Sequence, residues 1–299
     1  MTDVPAAPSV RQALRHRLAS GRGVVIAPSV PDPLSARIAE RAGFSAIALG
    51  GYALGAHLLC SEPLISLEEL AAATRRITRY ASIPLIVDGG AGYGEALHTM
   101  HTIRELELAG AAAVHIEDQY FPKRAHYHRG VEAVVPLDEM LVKIRSAVDA
   151  RRDPSFVIIA RTDAMRTHGY DEGIRRAKAF RDAGADLVMV FPNDLTEAAA
   201  APRDAGVPLV YTNSEGGRFG RPVLDAAQLS EFGYAIVLDA QTAVLTMFKA
   251  VEAQLKHLAA TGGNSFDQSA MVPLRDHLEA VIGLDELYQI EETTVERLS

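Results

Sequence analysis

Eight short apolar runs of β-forming residues recur along the chain, and a segment with helical periodicity separates each run from the next. In order, the runs read GVVIAPS, SAIALGG, PLIVDGG, AAVHIED, FVIIART, DLVMVF, PLVYTN and AIVLDA. Each run is too apolar for a strand with one face in water, which favours parallel strands covered by helices. Eight such repeats predict an α/β fold, a parallel (β/α)8 or TIM barrel. A doubly wound open sheet is the alternative, but no Gly-rich dinucleotide or phosphate fingerprint follows the first run.

The predicted elements place one barrel domain over residues 1–299, with an N-terminal helix in 1–21 and a C-terminal helical extension over 242–299. The extension begins with the amphipathic segment TAVLTMFKAVEAQLKHLAATGG. It is longer than a minimal barrel requires. We therefore expect the extension to pack on a neighbouring subunit.

Composition excludes several classes of function. Of the 299 residues, 48% are hydrophobic, so a sizeable core can form. The formal net charge of −8 argues against nucleic-acid binding, which needs clustered Lys and Arg. No apolar run approaches the roughly 20 residues of a membrane span, and the N-terminus lacks an apolar signal-peptide core. The lone Cys60 fits a reducing compartment, so we expect a cytoplasmic protein without nucleic-acid or membrane partners.

Polar residues concentrate where the predicted strands end, which is where a parallel barrel carries its active site. Several carboxylates that meet at one mouth repel each other unless a cation compensates, and oxygen ligands favour Mg²⁺ or Mn²⁺. With a guanidinium beside it, such an ion suits a small anionic substrate, a 2-oxo or 2-hydroxy carboxylate. The strand-end residues are Ser29, Gly50, Gly51, Asp88, Glu117, Asp118, Arg161, Asp163, Asn213, Glu215 and Asp239.

Simpler structural roles remain open for each of these residues. A strand-end acid is often only the N-cap of the next helix, and ARTDA can be an Arg–Asp pair that joins two loops. Gly50 and Gly51 can serve a tight turn, or their amides can receive a carboxylate. His115 lies within a predicted strand, where a packing role is more common than catalysis. The functional reading depends on convergence at one end of the barrel.

Five motifs, DPLSARIAERAGF, VDGGAGYG, HIEDQYFPKR, IIARTDA and SEGGR, resemble in order and spacing the isocitrate lyase and phosphoenolpyruvate mutase superfamily. The most similar branches are methylisocitrate-type lyases, carboxyphosphonoenolpyruvate mutases and oxaloacetate decarboxylases. The resemblance implies a barrel whose last helix is swapped between subunits, a homotetramer built as a dimer of dimers, and Mg²⁺-dependent chemistry on 2-oxo or 2-hydroxy diacids.

By position, the resemblance implies a metal site and a substrate site. Asp88 matches the aspartate that touches the metal, Glu117 the acid that holds it through water, and Glu62 an outer-shell acid. The residues implied for substrate binding or catalysis are Gly50, Gly51, Asp88, Glu117, Lys123 of the gating loop and the carboxylate clamp Arg161. The strand-end residues Asn213 and Glu215 are further candidates for substrate binding, by their position at the mouth.

The chain departs from the family pattern at three places. Ala125 replaces the lid cysteine that protonates the enolate product, and His126, Tyr127 or His128 could substitute or merely cover the lid surface. The sharper form of this expectation assigns proton transfer to His126 or His128. The other two departures are Gly90 in place of a second metal-site acid and Phe191 in place of a glutamate near the substrate. They suggest a substrate with a bulkier or less polar end than methylisocitrate.

The expected function is a Mg²⁺-dependent carbon–carbon lyase that acts on a 2-hydroxy or 2-oxo (di)carboxylic acid through a metal-stabilised enolate. One alternative is decarboxylation of an oxaloacetate-like acid, which needs no lid acid and so tolerates Ala125. Another is a barrel that binds a small acid without turning it over, which Gly90 and Ala125 would permit.

Overall fold

The computed structural model of the protein describes residues 9–130, 133–214 and 220–294. The strands are β1 (Val25–Pro28), β2 (Ile47–Leu49), β3 (Leu85–Asp88), β4 (Ala113–Glu117), β5 (Val157–Arg161), β6 (Leu187–Met189), β7 (Leu209–Asn213) and β8 (Ile236–Asp239). The helices are α1 (Val10–Ala19), α2 (Pro33–Arg41), α3 (Gly51–His57), α4 (Leu67–Tyr80), α5 (Ala96–Leu108), α6 (Leu137–Ala150), α7 (Ala164–His168), α8 (Tyr170–Asp182), α9 (Leu195–Ala205), α10 (Ala226–Phe232), α11 (Thr242–Thr261), α12 (Gln268–Ile282) and α13 (Leu284–Thr294). Short 3₁₀ helices span Glu62–Leu64 and Ala125–Arg129.

The strands form one parallel eight-stranded sheet in the order β1-β8-β7-β6-β5-β4-β3-β2. A parallel bridge between Ser29 and Ala48 joins the two outermost strands and nearly closes the sheet. Helices connect successive strands, so the parallel (β/α)8 barrel predicted from the eight runs is confirmed.

Local signals in the sequence set where the helices begin and end. Ser66 and Glu69 form a reciprocal capping box at the start of α4, and Asp32 caps α2. Helix α9 ends at Gly206, whose φ of 61° lies in the left-handed region that favours glycine. These short-range contacts set where α2 and α4 begin and where α9 ends.

The barrel interior is an apolar cluster that alternate strand residues build. Ile86 and Ile159 belong to it, together with Leu14 of α1. Because side chains alternate between the two faces of a strand, Asp88 and Arg161 point to the same interior two residues later. The second and larger apolar cluster packs between the sheet and its helices. The barrel therefore has an apolar floor and a charged mouth at the carboxyl ends of its strands.

Residues 1–244 and residues 245–299 form two compact units. The second unit contains α12, α13 and most of α11, and Val281 is buried within it. Many of its apolar side chains are exposed, among them Phe248, Val251, Leu255, Leu258, Val272, Leu274, Leu278, Ile282, Leu287 and Ile290. The single-domain organisation with an extension from residue 242 stays a prediction.

Among the described residues, no helix combines the length and apolarity that crossing a bilayer requires.

Candidate active site

Asp88 lies at the end of β3 and is held by backbone amides on both of its oxygens. Oδ2 accepts a hydrogen bond from Gly51 N at 3.2 Å, and Oδ1 accepts one from Gly90 N at 3.0 Å. His115 Nδ1 lies 3.4 Å from Oδ1. Burial alone would raise the pKa of Asp88, but the charges of His115, Lys123 and Arg161 lower it well below its usual value. This carboxylate is therefore ionised and oriented.

Three further charged groups surround the mouth beside Asp88. Lys123 Nζ forms ion pairs with Glu62 and, at 3.0 Å, with Glu117 Oε1. Burial raises the pKa of Glu62, and the nearby Asp88 and Glu117 add to the effect against the opposing charge of Lys123. Glu117 and Glu62 in turn hold the pKa of Lys123 well above its usual value despite its burial. The lid lysine is thus a counterion for two of the three acids.

The donor set fits a hard divalent cation. Glu117 is fully buried, yet neither of its carboxylate oxygens has a hydrogen-bond partner of good geometry among the described residues. Within the same residues, no three His, Cys, Asp or Glu side chains converge closely enough to ligate one ion directly. Mg²⁺ keeps several waters and needs only one or two carboxylates. Asp88 could supply the direct carboxylate ligand, and Glu117 and Glu62 could accept hydrogen bonds from waters bound to the ion, so these residues meet that requirement.

Arg161 ends β5 opposite these acids. Its Nη1 lies 3.1 Å from Glu117 Oε2, the residue that faces it in the adjacent strand. Asp163 accepts hydrogen bonds from Nε at 3.3 Å and from Nη2 at 3.2 Å. The Phe191 ring lies 4.7 Å from the guanidinium carbon. The guanidinium is therefore fixed at the mouth, and the Arg161–Asp163 pair that the sequence left open is present.

The segment 123–130, here called the lid, contacts the charged mouth through Tyr127 as well as through Lys123. Arg161 Nη2 donates to the Tyr127 hydroxyl at 2.7 Å, and Lys123 Nζ lies 4.3 Å from the centre of the Tyr127 ring. Burial raises the pKa of Tyr127 to about 12, so its phenol is protonated at neutral pH. His126 is exposed. Among the described side chains of residues 124–130, Tyr127 is the one with a contact to the charged mouth.

The second acid of the Glu117–Asp118 pair points to the other face of the strand. Asp118 accepts hydrogen bonds from Thr162 Oγ1 at 2.6 Å, Asp163 N at 3.1 Å and Arg176 Nη1 at 2.9 Å. Burial and the neighbouring Asp163 raise the pKa of Asp118 to about 6. Asp118 therefore supports the strand end that carries Arg161.

Some of the residues expected to bind substrate form hydrogen bonds or close contacts within the protein instead. Gly50 N donates to Ser29 Oγ at 3.1 Å, and a Cβ on Gly51 would overlap with the Glu62 side chain. Asn213 Nδ2 donates a hydrogen bond to Leu224 O at 2.7 Å, and Asn213 Oδ1 accepts one from Leu224 N at 3.1 Å. Glu215 and the side chain of His128 lie outside the part of the chain that the structure describes.

Sequence reasoning underestimated His115, which it treated as a packed strand residue. His115 is buried and lies in register with Asp88 on the neighbouring strand. It shares the inward face of β4 with Glu117, because the two positions are two residues apart. Strand alternation, applied backwards from the strand-end residue Glu117, would have placed His115 at the mouth as well.

A pocket of about 430 Å³, including the solvent at its opening, lies beside Asp88 and Glu62. Its apolar wall contains Ile65, Leu70, Tyr93 and Phe121. Gly90 borders the pocket, and a Cβ built on Gly90 would meet no atom within 4 Å. The position that carries a second acid in the family pattern is open space in this chain.

Comparisons with known proteins give the same family as the motifs. The family described as phosphoenolpyruvate phosphomutase matches residues 14–259. The chain is 40% identical to 2-methylisocitrate lyase of Aeropyrum pernix, over 83% of this chain and 79% of the relative. It is 35% identical to 2,3-dimethylmalate lyase of Eubacterium barkeri, over 80% of this chain and 83% of the relative.

Solved structures agree with this assignment. A crystal structure of 2,3-dimethylmalate lyase superposes with a TM-score of 0.87 at 32% identity, covering 97% of this chain and 96% of the other. Oxaloacetate acetylhydrolase with the inhibitor 3,3-difluorooxalacetate gives a TM-score of 0.87 at 30% identity, covering 97% and 99%. Phosphonopyruvate hydrolase complexed with oxalate and Mg²⁺ gives 0.85 at 29% identity, covering 97% and 100%. The chain belongs to the isocitrate lyase and phosphoenolpyruvate mutase superfamily of enzymes, which includes lyases and mutases that act on small carboxylic acids.

Proposed function

We propose that this enzyme is a Mg²⁺-dependent carbon–carbon lyase that cleaves a 2-hydroxy or 2-oxo (di)carboxylic acid. The observation that carries the proposal is the buried charge arrangement at the barrel mouth. Glu117 lies between Lys123 and Arg161 at 3.0 and 3.1 Å, and the charges of the same two cations act on Asp88. An ion on the acids and a carboxylate on Arg161 would then share one cavity.

In this proposal Asp88 holds the ion directly, while Glu117 and Glu62 hold its waters. Mg²⁺ or Mn²⁺ would supply Lewis-acid stabilisation of negative charge on the substrate oxygen. Arg161 binds the substrate carboxylate and is kept in place by Asp163, which accepts its Nε–H at 3.3 Å. Lys123 closes over the acids from the lid and excludes water, which strengthens every charge interaction in the site.

When a 2-hydroxy acid is cleaved, the hydroxyl loses its proton to a base and becomes the carbonyl of the 2-oxo acid. The electron pair of the broken carbon–carbon bond stays on the departing fragment, which takes up one proton. Ala125 cannot donate one. The Tyr127 hydroxyl lies 2.7 Å from Arg161 Nη2, and its pKa of about 12 keeps it protonated. We therefore propose Tyr127 as the proton donor. The histidines favoured by the sequence, His126 and His128, are the alternative that a variant comparison distinguishes.

The test is a product analysis with 2-substituted malates in the presence of Mg²⁺. We expect a 2-oxo acid and a second carboxylic acid in equal amounts, and no turnover in excess chelator or in the Asp88→Asn variant. The exposed Asp194, which only caps α9, supplies the matched control variant Asp194→Asn, which should keep full activity.

Two other outcomes would replace the lyase proposal. Carbon dioxide from oxaloacetate, without a second acid, would establish the decarboxylase, a reaction to which Ala125 in place of the lid cysteine is no obstacle. Absence of turnover together with absence of Mg²⁺ and Mn²⁺ binding in calorimetry would establish a barrel that binds small acids without chemistry.

We further propose that the enzyme is a cytoplasmic homotetramer in which the C-terminal helices exchange between subunits. The exposed apolar side chains Phe248, Val251, Leu255 and Leu258 support the exchange, because their three- and four-residue spacing puts them on one face of α11. Such a stripe in water is usually covered by a partner. The lone cysteine, Cys60, supports a location in a reducing compartment.

A further inference from the structure

Arg221, in the loop between β7 and α10, is a cation that the lyase mechanism does not use. Its Nη2 donates to the carbonyl oxygen of Thr212 at 3.0 Å. Its Nε is buried, and no described residue accepts a hydrogen bond from it. Nor does any described carboxylate form an ion pair with this guanidinium. Burial lowers the pKa of Arg221, against the opposing contributions of Tyr211, Tyr127 and Asp163.

The loop holds Arg221 in a defined position. The guanidinium carbon lies 4.6 Å from the centre of the Phe191 ring and 5.7 Å from that of Tyr211. The Tyr211 hydroxyl donates to Pro222 O at 2.6 Å, one residue further along the chain. The Asn213 side chain bonds both backbone groups of Leu224. Arg221 is thus preorganised, so that little side-chain entropy remains to be lost on binding.

Arg221 and Arg161 meet at the same aromatic ring. Their guanidinium carbons lie 4.6 and 4.7 Å from the centre of the Phe191 ring. The lid residue Tyr127 is also close enough to influence the charge of both. The two guanidinium groups therefore pack against the same side chain of the mouth. The two differ in one respect, since Arg161 forms ion pairs with Glu117 and Asp163, whereas Arg221 forms none with the described acids.

We propose that Arg221 is a specificity-determining residue that binds the second carboxylate of the substrate and makes the enzyme selective for dicarboxylic acids. The assignment rests on the proposed function, in which Arg161 binds the first carboxylate. A partly buried guanidinium that forms no ion pair is unfavourable, and a carboxylate that binds it removes that penalty. Phe191 then separates two anion sites at the mouth.

The test compares two ligands that differ only at the distal group, malate and 2-hydroxybutyrate, by calorimetry with Mg²⁺ present. In the Arg221→Gln variant we expect malate affinity to fall about 10- to 100-fold, as loss of a hydrogen-bonded charge pair implies, and 2-hydroxybutyrate affinity to change less than about twofold. Arg221→Lys keeps the charge and should recover part of the malate affinity. Arg203→Gln, at an exposed arginine of α9, should change neither affinity.

The outcomes separate this inference from the proposed function. Equal losses for both ligands, or no loss for either, would overturn the role of Arg221 and leave the lyase proposal standing. If the wild-type enzyme binds neither acid with Mg²⁺, the proposed function fails and this assignment fails with it. Thermal unfolding of each variant checks the fold. If Arg221→Gln does not fold, the malate selectivity of Arg221→Lys decides, and selectivity equal to that of the wild type overturns the inference.

Discussion

At the scale of single residues, adjacent acids at a strand end have different roles because their side chains alternate. Glu117 faces the barrel interior, between Lys123 and Arg161. Asp118 faces the helix layer, where Thr162 Oγ1 donates to it at 2.6 Å. An acidic pair that looks like a single motif in the sequence therefore divides into one group at the charged mouth and one that supports the strand end.

Gly90 leads to the first prediction, that restoring an acid there strengthens metal binding. Its φ of 53° is left-handed, which Asp and Asn tolerate better than most residues, and a side chain would enter open space. We expect Gly90→Asp to tighten Mg²⁺ binding about tenfold in calorimetry, because ligand charge controls the affinity of such sites. Gly90→Asn has the same shape without the charge and should leave the affinity near that of the wild type. Equal affinities for both variants would place the ion away from Gly90.

The second prediction concerns the proton donor. Tyr127→Phe removes only the hydroxyl that accepts from Arg161 and should lower kcat for 2-substituted malates by about 10²- to 10⁴-fold, as loss of a general acid does. His126→Ala, at an exposed lid position, should keep kcat within about twofold. If Tyr127→Phe retains full activity while the double variant His126→Ala/His128→Ala loses it, the donor is a histidine.

At the scale of elements, α8 anchors the strand end that carries the site. Arg176 donates from Nη1 to Asp118 at 2.9 Å and to Val135 O at 3.0 Å, and from Nε to Glu172 at 2.8 Å. Glu172 also accepts two hydrogen bonds from Arg175, at 2.6 and 2.7 Å. The chain Glu172, Arg176, Asp118 thus links a helix to the end of β4.

The third prediction follows from the pKa of Glu172, which the hydrogen bonds from Arg175 and Arg176 lower to about 2. A carboxyl whose pKa is lower in the folded state stabilises the fold above its unfolded pKa, and the effect is lost as pH falls through the folded pKa. Glu172→Gln should therefore lower the free energy of unfolding by about 2 kcal/mol at pH 6. The difference should shrink to less than half at pH 3.

Equilibrium urea unfolding at the two pH values measures this difference. Glu231→Gln, at an exposed glutamate of α10, is the control and should change stability little at either pH. A Glu172→Gln effect that is the same at pH 6 and pH 3 would show that the carboxylate charge is not what stabilises α8.

At the scale of the whole molecule, the C-terminal unit leads to the fourth prediction. Phe248 and Leu255 are exposed on one face of α11, seven residues apart. The double variant Phe248→Glu/Leu255→Glu places charges in the proposed subunit contact and should dissociate the tetramer, with the mass measured by light scattering. Lys249→Glu reverses the charge at an exposed, already charged position of the same helix and should keep the tetramer. A wild-type protein that scatters as a monomer would refute the assembly outright.

The strand-end residues of the candidate site could be predicted from the sequence, but the loop contacts could not. Asp88, Glu117 and Arg161 follow from their positions at strand ends, and the structure brings them together with Lys123 at one mouth. Asn213 lies at a strand end too, but its amide is used by the backbone of Leu224, a contact that no pattern in the sequence announces. Strand alternation is local, whereas a loop contact depends on where the chain returns.

The sequence alone determined the family, through its motifs, and the eight-stranded parallel barrel, through its eight apolar runs and the helical periodicity between them. These signals can be read over a few residues at a time. The tertiary structure alone decided which lid residue reaches the mouth and brought Arg221 to the same ring as Arg161. Those placements depend on the packing of loops that are far apart in the chain. A pair of residues so separated carries no local signal, so only the folded barrel brings the two guanidinium groups together.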